Sequence, residues 1–212
     1  MRSALLLAAL VGSAVAQTTA GESIGLAGPL GVYLKTDHAT STVVLSAMKR
    51  EVEAVLVPAG VHLVWNSQPD SEVYTRIAVM RLRGRCDLEG PVSADIRGLS
   101  RDAEPLGTTY VADGRVLPFA DVRCDSVRKV LDRDLRAIRA NDRDELLGRA
   151  LGRVMAHELY HVLLRTRVHG RSGLARPMIT SSDLLAVHDK FAAPDEQKLS
   201  GALVDDAPGG SR

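Results

Sequence analysis

Apolar positions recur along this chain with two different periods, and the periods mark out its elements. Residues 31–36 alternate apolar and polar, the pattern of a half-buried strand. Thr40, Ser41 and Thr42 can each cap a helix start. Val44, Leu45, Met48, Val52, Val55 and Leu56 then follow at helical spacing to about Val57, and Pro58 and Gly60 end the run. Residues 61–65 and 74–82, rich in β-branched and apolar side chains, predict a second and a third strand. A mixed, irregular stretch over 83–105 leads to strands over 107–111 and 116–122. Asp113-Gly114 between these two is a hairpin signal. Residues 126–139 look helical. Asn141 and Asp142 break that pattern and can cap a longer helix over 143–166, about 35 Å long at about 1.5 Å per residue. Gly170, Gly173 and Pro177 make the next stretch a turn-rich loop, and Ser181, Ser182 and Asp183 can cap a final helix through about Phe191. From Ala192 the chain is rich in Pro, Asp, Gly and Ser, so 192–212 is expected to be a disordered tail. There is no internal repeat. Strands and helices in this order predict one α+β domain.

The first residues set where that domain begins. Met1-Arg2 is a short basic start, residues 5–11 are apolar, and Ala14-Val15-Ala16 fits a small-x-small cleavage site. Residues 1–16 are therefore expected to be a secretory signal peptide, too short to remain as a membrane span. Residues 17–30 would be a flexible lead and 31–191 the folded domain. The destination would be the periplasm or the extracellular space. No later stretch is long and apolar enough to cross a bilayer.

Composition narrows the partners. Apolar residues make up 45% of the chain, enough for a core, but aromatics only 3%, so Leu, Val, Ala and Ile must build it. The formal net charge is +1, and the arginines are spread among acids. That reads as a solvated surface and gives no nucleic-acid face. The two cysteines, Cys86 and Cys124, sit at ends of predicted strands. An exported chain permits a disulfide between them, but the sequence leaves the pairing open.

The candidate chemistry lies in the long helix, at His157-Glu158-Leu159-Tyr160-His161. Residues four apart share a helix face, so His157 and His161 can direct two imidazole nitrogens at one metal ion. Neutral imidazoles suit zinc, and Glu158, just outside that pair, can take a proton from water at the ion. Apolar residues flank the motif, and no Pro or Gly interrupts 153–168. Tyr160 points about 60 to 100° away from the histidine face and has no assigned role.

A catalytic zinc usually takes three protein ligands. His169, eight residues beyond His161 and next to Gly170, is the leading third ligand. Asp183 and His188 are the runners-up, although Asp183 suits a helix cap better. Glu196, in the expected tail, ranks last. His38 and His62 lie far upstream and read as plain structural residues.

The set His157-Glu158, His161, His169-Gly170 and Met178 resembles the zinc-binding region of the metzincin metallopeptidases, within the zincin superfamily. The resemblance implies a zincin-like α+β fold: a twisted mixed sheet of about five strands, a backing helix and an active-site helix. It implies one catalytic Zn2+ on His157, His161 and His169, and a turn at Met178 beneath the metal. It also implies that 107–111 is an antiparallel edge strand holding peptide substrate by main-chain bonds. The helix at 126–139 would be an insertion or extension before the motif helix. The family pattern has a Gly three residues after the second His and the third His three further on; here those positions are Leu164 and Arg167. The helix is therefore expected to run about two residues longer before the chain turns, which makes His169 an inferred ligand.

Two functions follow as expectations. One is a secreted zinc-dependent metallopeptidase acting on a peptide or protein substrate, with Glu158 as general base. The other is an exported zinc-binding protein of zincin-like fold without peptidase activity, whose site holds the fold or a partner. An open coordination position favours the first and a closed four-ligand shell the second.

Overall fold

The computed structural model describes residues 28–66, 74, 76–88, 104–187 and 190–205 of the 212. The expected signal peptide, most of the lead, most of the irregular stretch and His188 lie outside the described residues.

Strand β1 (Leu30–Thr36) runs into helix α1 (Thr42–Leu56), whose start is capped by Ser41 Oγ accepting from the Val43 N–H. A short 3-10 turn, Val57–Ala59, ends on Gly60 and leads to β2 (Leu63–Asn66) and β3 (Arg76–Arg83). The pair β4 (Gly107–Ala112) and β5 (Arg115–Arg123) forms the expected hairpin. Asp113 and Gly114 take φ of 49° and 74°, as a two-residue turn of this hand requires. The sheet order is β2-β1-β3-β5-β4. Strand β1 is parallel to β2 and β3, β3 is parallel to β5, and only β4, at the edge, is antiparallel. The fold is thus α+β with a five-stranded mixed sheet. Alternation sorts its faces: Ala78, Met80, Leu82, Ala120 and Val122 are buried in the core, while Ile77 and Phe119 are exposed.

Helix α2 (Cys124–Arg136) and the 25-residue α3 (Ala140–Leu164) follow β5. Cys86 and Cys124 are joined by a disulfide, which ties the chain after β3 to the start of α2. Helix α3 lies on α1 through Gly148 and Gly152, one turn apart. A Cβ at Gly148 would come within 2.6 Å of the Ala47 Cβ, and one at Gly152 within 2.6 Å of the Met48 carbonyl oxygen. Two helices pass this closely only where one lacks side chains.

Three elements differ from the sequence expectation. Helix α3 begins at Ala140, which puts Asn141 and Asp142 inside its first turn. It ends at Leu164, because Arg165 takes a left-handed conformation, with φ of 49°. The helix expected through Phe191 stops at Leu185 as α4 (Ser181–Leu185). Its start is a capping box between Thr180 and Asp183. Its end has an external cause: Arg153 takes the carbonyl oxygens of Asp183 and Ala186, which a continuing helix would need for itself. The expected disordered tail is, over its first part, helix α5 (Ala193–Asp205). Composition misled because one apolar residue, Leu199, is buried in the core, and Ser200 Oγ donates to the Ala59 carbonyl. Among the described residues no helix is long and apolar enough to cross a membrane.

Candidate metal centre

The C-terminal third of α3 carries His157, Glu158 and His161, each buried to within 7% of full exclusion from solvent. The left-handed turn at Arg165 folds the chain back at once. The Thr166 carbonyl thereby meets His161 Nδ1 at 2.9 Å. Further on, the Leu174 carbonyl meets His157 Nδ1 at 2.7 Å. A carbonyl oxygen only accepts, so both Nδ1 atoms carry the proton. Both Nε2 atoms are then bare in the neutral rings, and they face each other at 3.2 Å.

Neutrality is favoured at both rings. Burial lowers the His157 pKa to about 4; the Leu174 bond opposes this, and the neighbouring His161 and His169 reinforce it. Burial also lowers His161, against the Thr166 bond and with help from His169. Two lone pairs opposed at this range repel unless a cation lies between them. Two nitrogens bound at about 2.0–2.1 Å to one tetrahedral ion stand about 3.3 Å apart, which fits the observed spacing.

His169 completes the group. The loop after α3 brings its ring to 5.3 Å from His157, stacked, and 4.7 Å from His161, edge-on. One nitrogen from each of the three rings lies within 4.8 Å of the others. Three of the six histidines in the chain therefore converge, and they could hold a metal ion. The loop bends sharply at Gly173, φ 62°, where any Cβ would strike the Lys190 carbonyl.

Glu158 rests against β4. Its Oε2 accepts from Thr109 Oγ1 at 2.6 Å. Burial raises the Glu158 pKa to about 7; the Thr109 bond opposes this and the Asp121 charge adds to it. A cleft of about 630 Å³ opens over the imidazoles and Glu158. Strand β4 contributes Gly107, Thr109 and Val111 to its lining, and the loop after α3 contributes Pro177, Met178 and Ile179.

The other candidates are occupied or remote. Asp183 caps α4 and pairs with Arg176. Glu196 lies on α5 near Lys190. His38 and His62 are exposed and outside the group. Tyr160 turns inward, donating to Asp195 at 3.2 Å and stacking on Phe191. Met178 does not lie beneath the imidazoles. It is 76% exposed at the cleft rim, and the backbone at Leu174 supports His157 instead. Sequence reasoning also missed Thr109, whose contact with Glu158 depends on strand register, and the two carbonyls, which carry no residue signature.

Compared with known protein families, curated proteins and solved structures, the chain matches none.

Proposed function

We propose that this chain is an exported, zinc-dependent metallopeptidase of zincin-like fold. His157, His161 and His169 would hold the metal and Glu158 would serve as general base. The reading is carried by one observation: two bare Nε2 atoms 3.2 Å apart, with a buried carboxylate next to them on the helix. Neutral imidazoles suit zinc, and three protein ligands leave a position open, as in catalytic sites. Bound there, the ion would supply Lewis acidity and bring the pKa of water toward about 7.

The chain's own residues have separate tasks. The Leu174 and Thr166 carbonyls fix the tautomer and ring orientation of two ligands. Glu158, whose burial strengthens its hold on a proton, is suited to accept one from water and pass it to the leaving amine. Strand β4 is the antiparallel edge of the sheet, and its outer side offers main-chain groups to an extended peptide beside the cleft. That edge, the α1 backing helix and the motif on α3 together support the zincin-like reading. The alternative, a zinc site without peptidase activity, calls for a fourth protein ligand. Among the described residues only three histidines converge.

The test is zinc content and cleavage of a mixed peptide library by wild type, Glu158→Gln and His169→Ala. The expected result is one zinc per chain in wild type and in Glu158→Gln, with turnover reduced about 10²–10⁴-fold in the latter. His169→Ala should lose most of its zinc. Absence of zinc after metal repletion, or cleavage retained in Glu158→Gln, would overturn the proposal.

A further inference from the structure

Strand β4 touches Glu158 at two residues on one face. Thr109 Oγ1 donates to Glu158 Oε2 at 2.6 Å and lies 3.3 Å from the Glu158 main-chain carbonyl oxygen. At Gly107, two residues earlier, a Cβ would stand 2.4 Å from Glu158 Oε1 and 2.8 Å from its Cδ. The carboxylate therefore rests on bare backbone at one position and is held by a hydroxyl at the next. The two carboxylate oxygens are unlike. Oε2 is engaged by Thr109, whereas Oε1 has no hydrogen-bond partner among the described residues and is not sealed from solvent.

The geometry points to Thr109 as a positioning residue for Glu158: it anchors Oε2 against the edge strand so that Oε1 is the oxygen offered to the cleft. This rests on the peptidase reading, since only a base needs one oxygen reserved. Packing against Gly107 limits where the carboxylate can lie, and the Thr109 hydroxyl is the hydrogen-bond donor that tells its two oxygens apart. A mechanism in which the carboxylate takes a proton and later returns it needs the same oxygen aimed the same way twice. Because Thr109 belongs to the strand beside which substrate would lie, the base and the substrate take their position from one element. Gly107 is the complementary requirement, as any side chain there would displace the carboxylate.

The test uses the full chain with Thr109→Val, which keeps the shape and the strand preference and removes the donor, and Thr109→Ser, which keeps the donor. Two readouts are taken. One is the 13C resonance of the Glu158 carboxyl carbon in metal-free protein, assigned with Glu158→Gln. The other is kcat and KM of zinc-loaded protein on a peptide the wild type cleaves. Thr109→Val should move the resonance and lower kcat about 10–100-fold, with KM and zinc content unchanged, and Thr109→Ser should recover kcat to within about threefold. An unmoved resonance in Thr109→Val, or a kcat equal to wild type, overturns the assignment. A wild type that loads zinc and cleaves nothing overturns the peptidase reading instead, and the resonance alone then decides the role of Thr109.

Discussion

Two parts of α3, residues 140–153 and residues 154–164, obey opposite rules. In the first part the buried polar side chain is satisfied by the protein. Arg153, fully buried, donates to Glu51 at 2.6 Å and to the carbonyls of Asp183 and Ala186, and Arg149 adds a second contact to Glu51. Gly148 and Gly152 press the same part onto α1. In the second part, two buried imidazoles aim bare nitrogens at each other, and one oxygen of a carboxylate has no hydrogen-bond partner among the described residues. Buried polar groups left in this state cost stability unless something binds them. A helix saturated at one end and unsaturated at the other is the arrangement expected where three histidines could hold a metal ion.

The contrast breaks most completely from its saturated half. In Gly152→Leu the new side chain would meet the Met48 carbonyl at 2.6 Å and the Glu51 Cβ at 2.8 Å, with backbone on one side and no free space. Overpacking typically costs about 1–3 kcal/mol, and a clash with backbone more. The expected loss is about 4 kcal/mol in urea unfolding, with the metal response lost alongside. Wild-type stability in this variant would mean that α1 and α3 do not lie as close as described.

The unsaturated half should respond in the reverse sense. Zinc at about 100 times its Kd should stabilise wild type by about 2.7 kcal/mol, and a chelator should remove the gain. His161→Leu takes away one of the two opposed nitrogens. Without metal it should stay within about 1 kcal/mol of wild type despite losing a buried residue's hydrogen bond, because a repulsion goes with it. With metal it should gain nothing. A metal-free His161→Leu that unfolds as readily as a core truncation would make His161 a structural residue rather than a ligand.

The same division decides what was legible in the sequence. The motif half was legible because two imidazoles at i and i+4 need only a helix to meet, and the apolar flanks of 157–161 supply one. The strands and the Asp113-Gly114 turn were legible for a similar reason: period and turn chemistry are local. The end of α3 was not, since its left-handed cap is Arg165 and no glycine announces it. Helix α4 ends early because two arginines 30 or more positions away take the carbonyls of Asp183 and Ala186, which a longer helix would use. Helix α5 exists because Leu199 finds the core, which composition does not register. Met178 had the right spacing for a turn under the metal, yet spacing along a loop says little about side-chain direction. The glycines at 148 and 152 stood in plain sight, but their use depends on which helix lies opposite.

The smallest expected effect is a partial cancellation within the unsaturated half, and its sign distinguishes the two buried group types. In metal-free protein the His157 pKa is lowered from 6.5 to about 4, so across that window the unfolded chain binds more protons and stability falls as pH falls. His161, also lowered by burial, acts in the same direction. The Glu158 pKa is raised from 4.5 to about 7, so there the folded chain binds more protons and stability falls as pH rises. For His157 and for Glu158 the displacement corresponds to about 3 kcal/mol each when fully expressed. Between pH 4.5 and 6.5 the Glu158 slope opposes that of the imidazoles, His169 included, so the urea midpoint of wild type should climb with pH less steeply than the imidazoles alone would make it. Glu158→Gln should expose the histidines alone, with stability climbing as pH rises through that window. In His157→Gln the climb should shrink and the fall owed to Glu158 should emerge as pH approaches 7. Chelator-treated proteins unfolded in urea at half-unit pH steps would measure both. A flat profile in Glu158→Gln would mean that the imidazoles already share a proton or an ion in the folded state, and the opposed bare nitrogens would no longer argue for a metal.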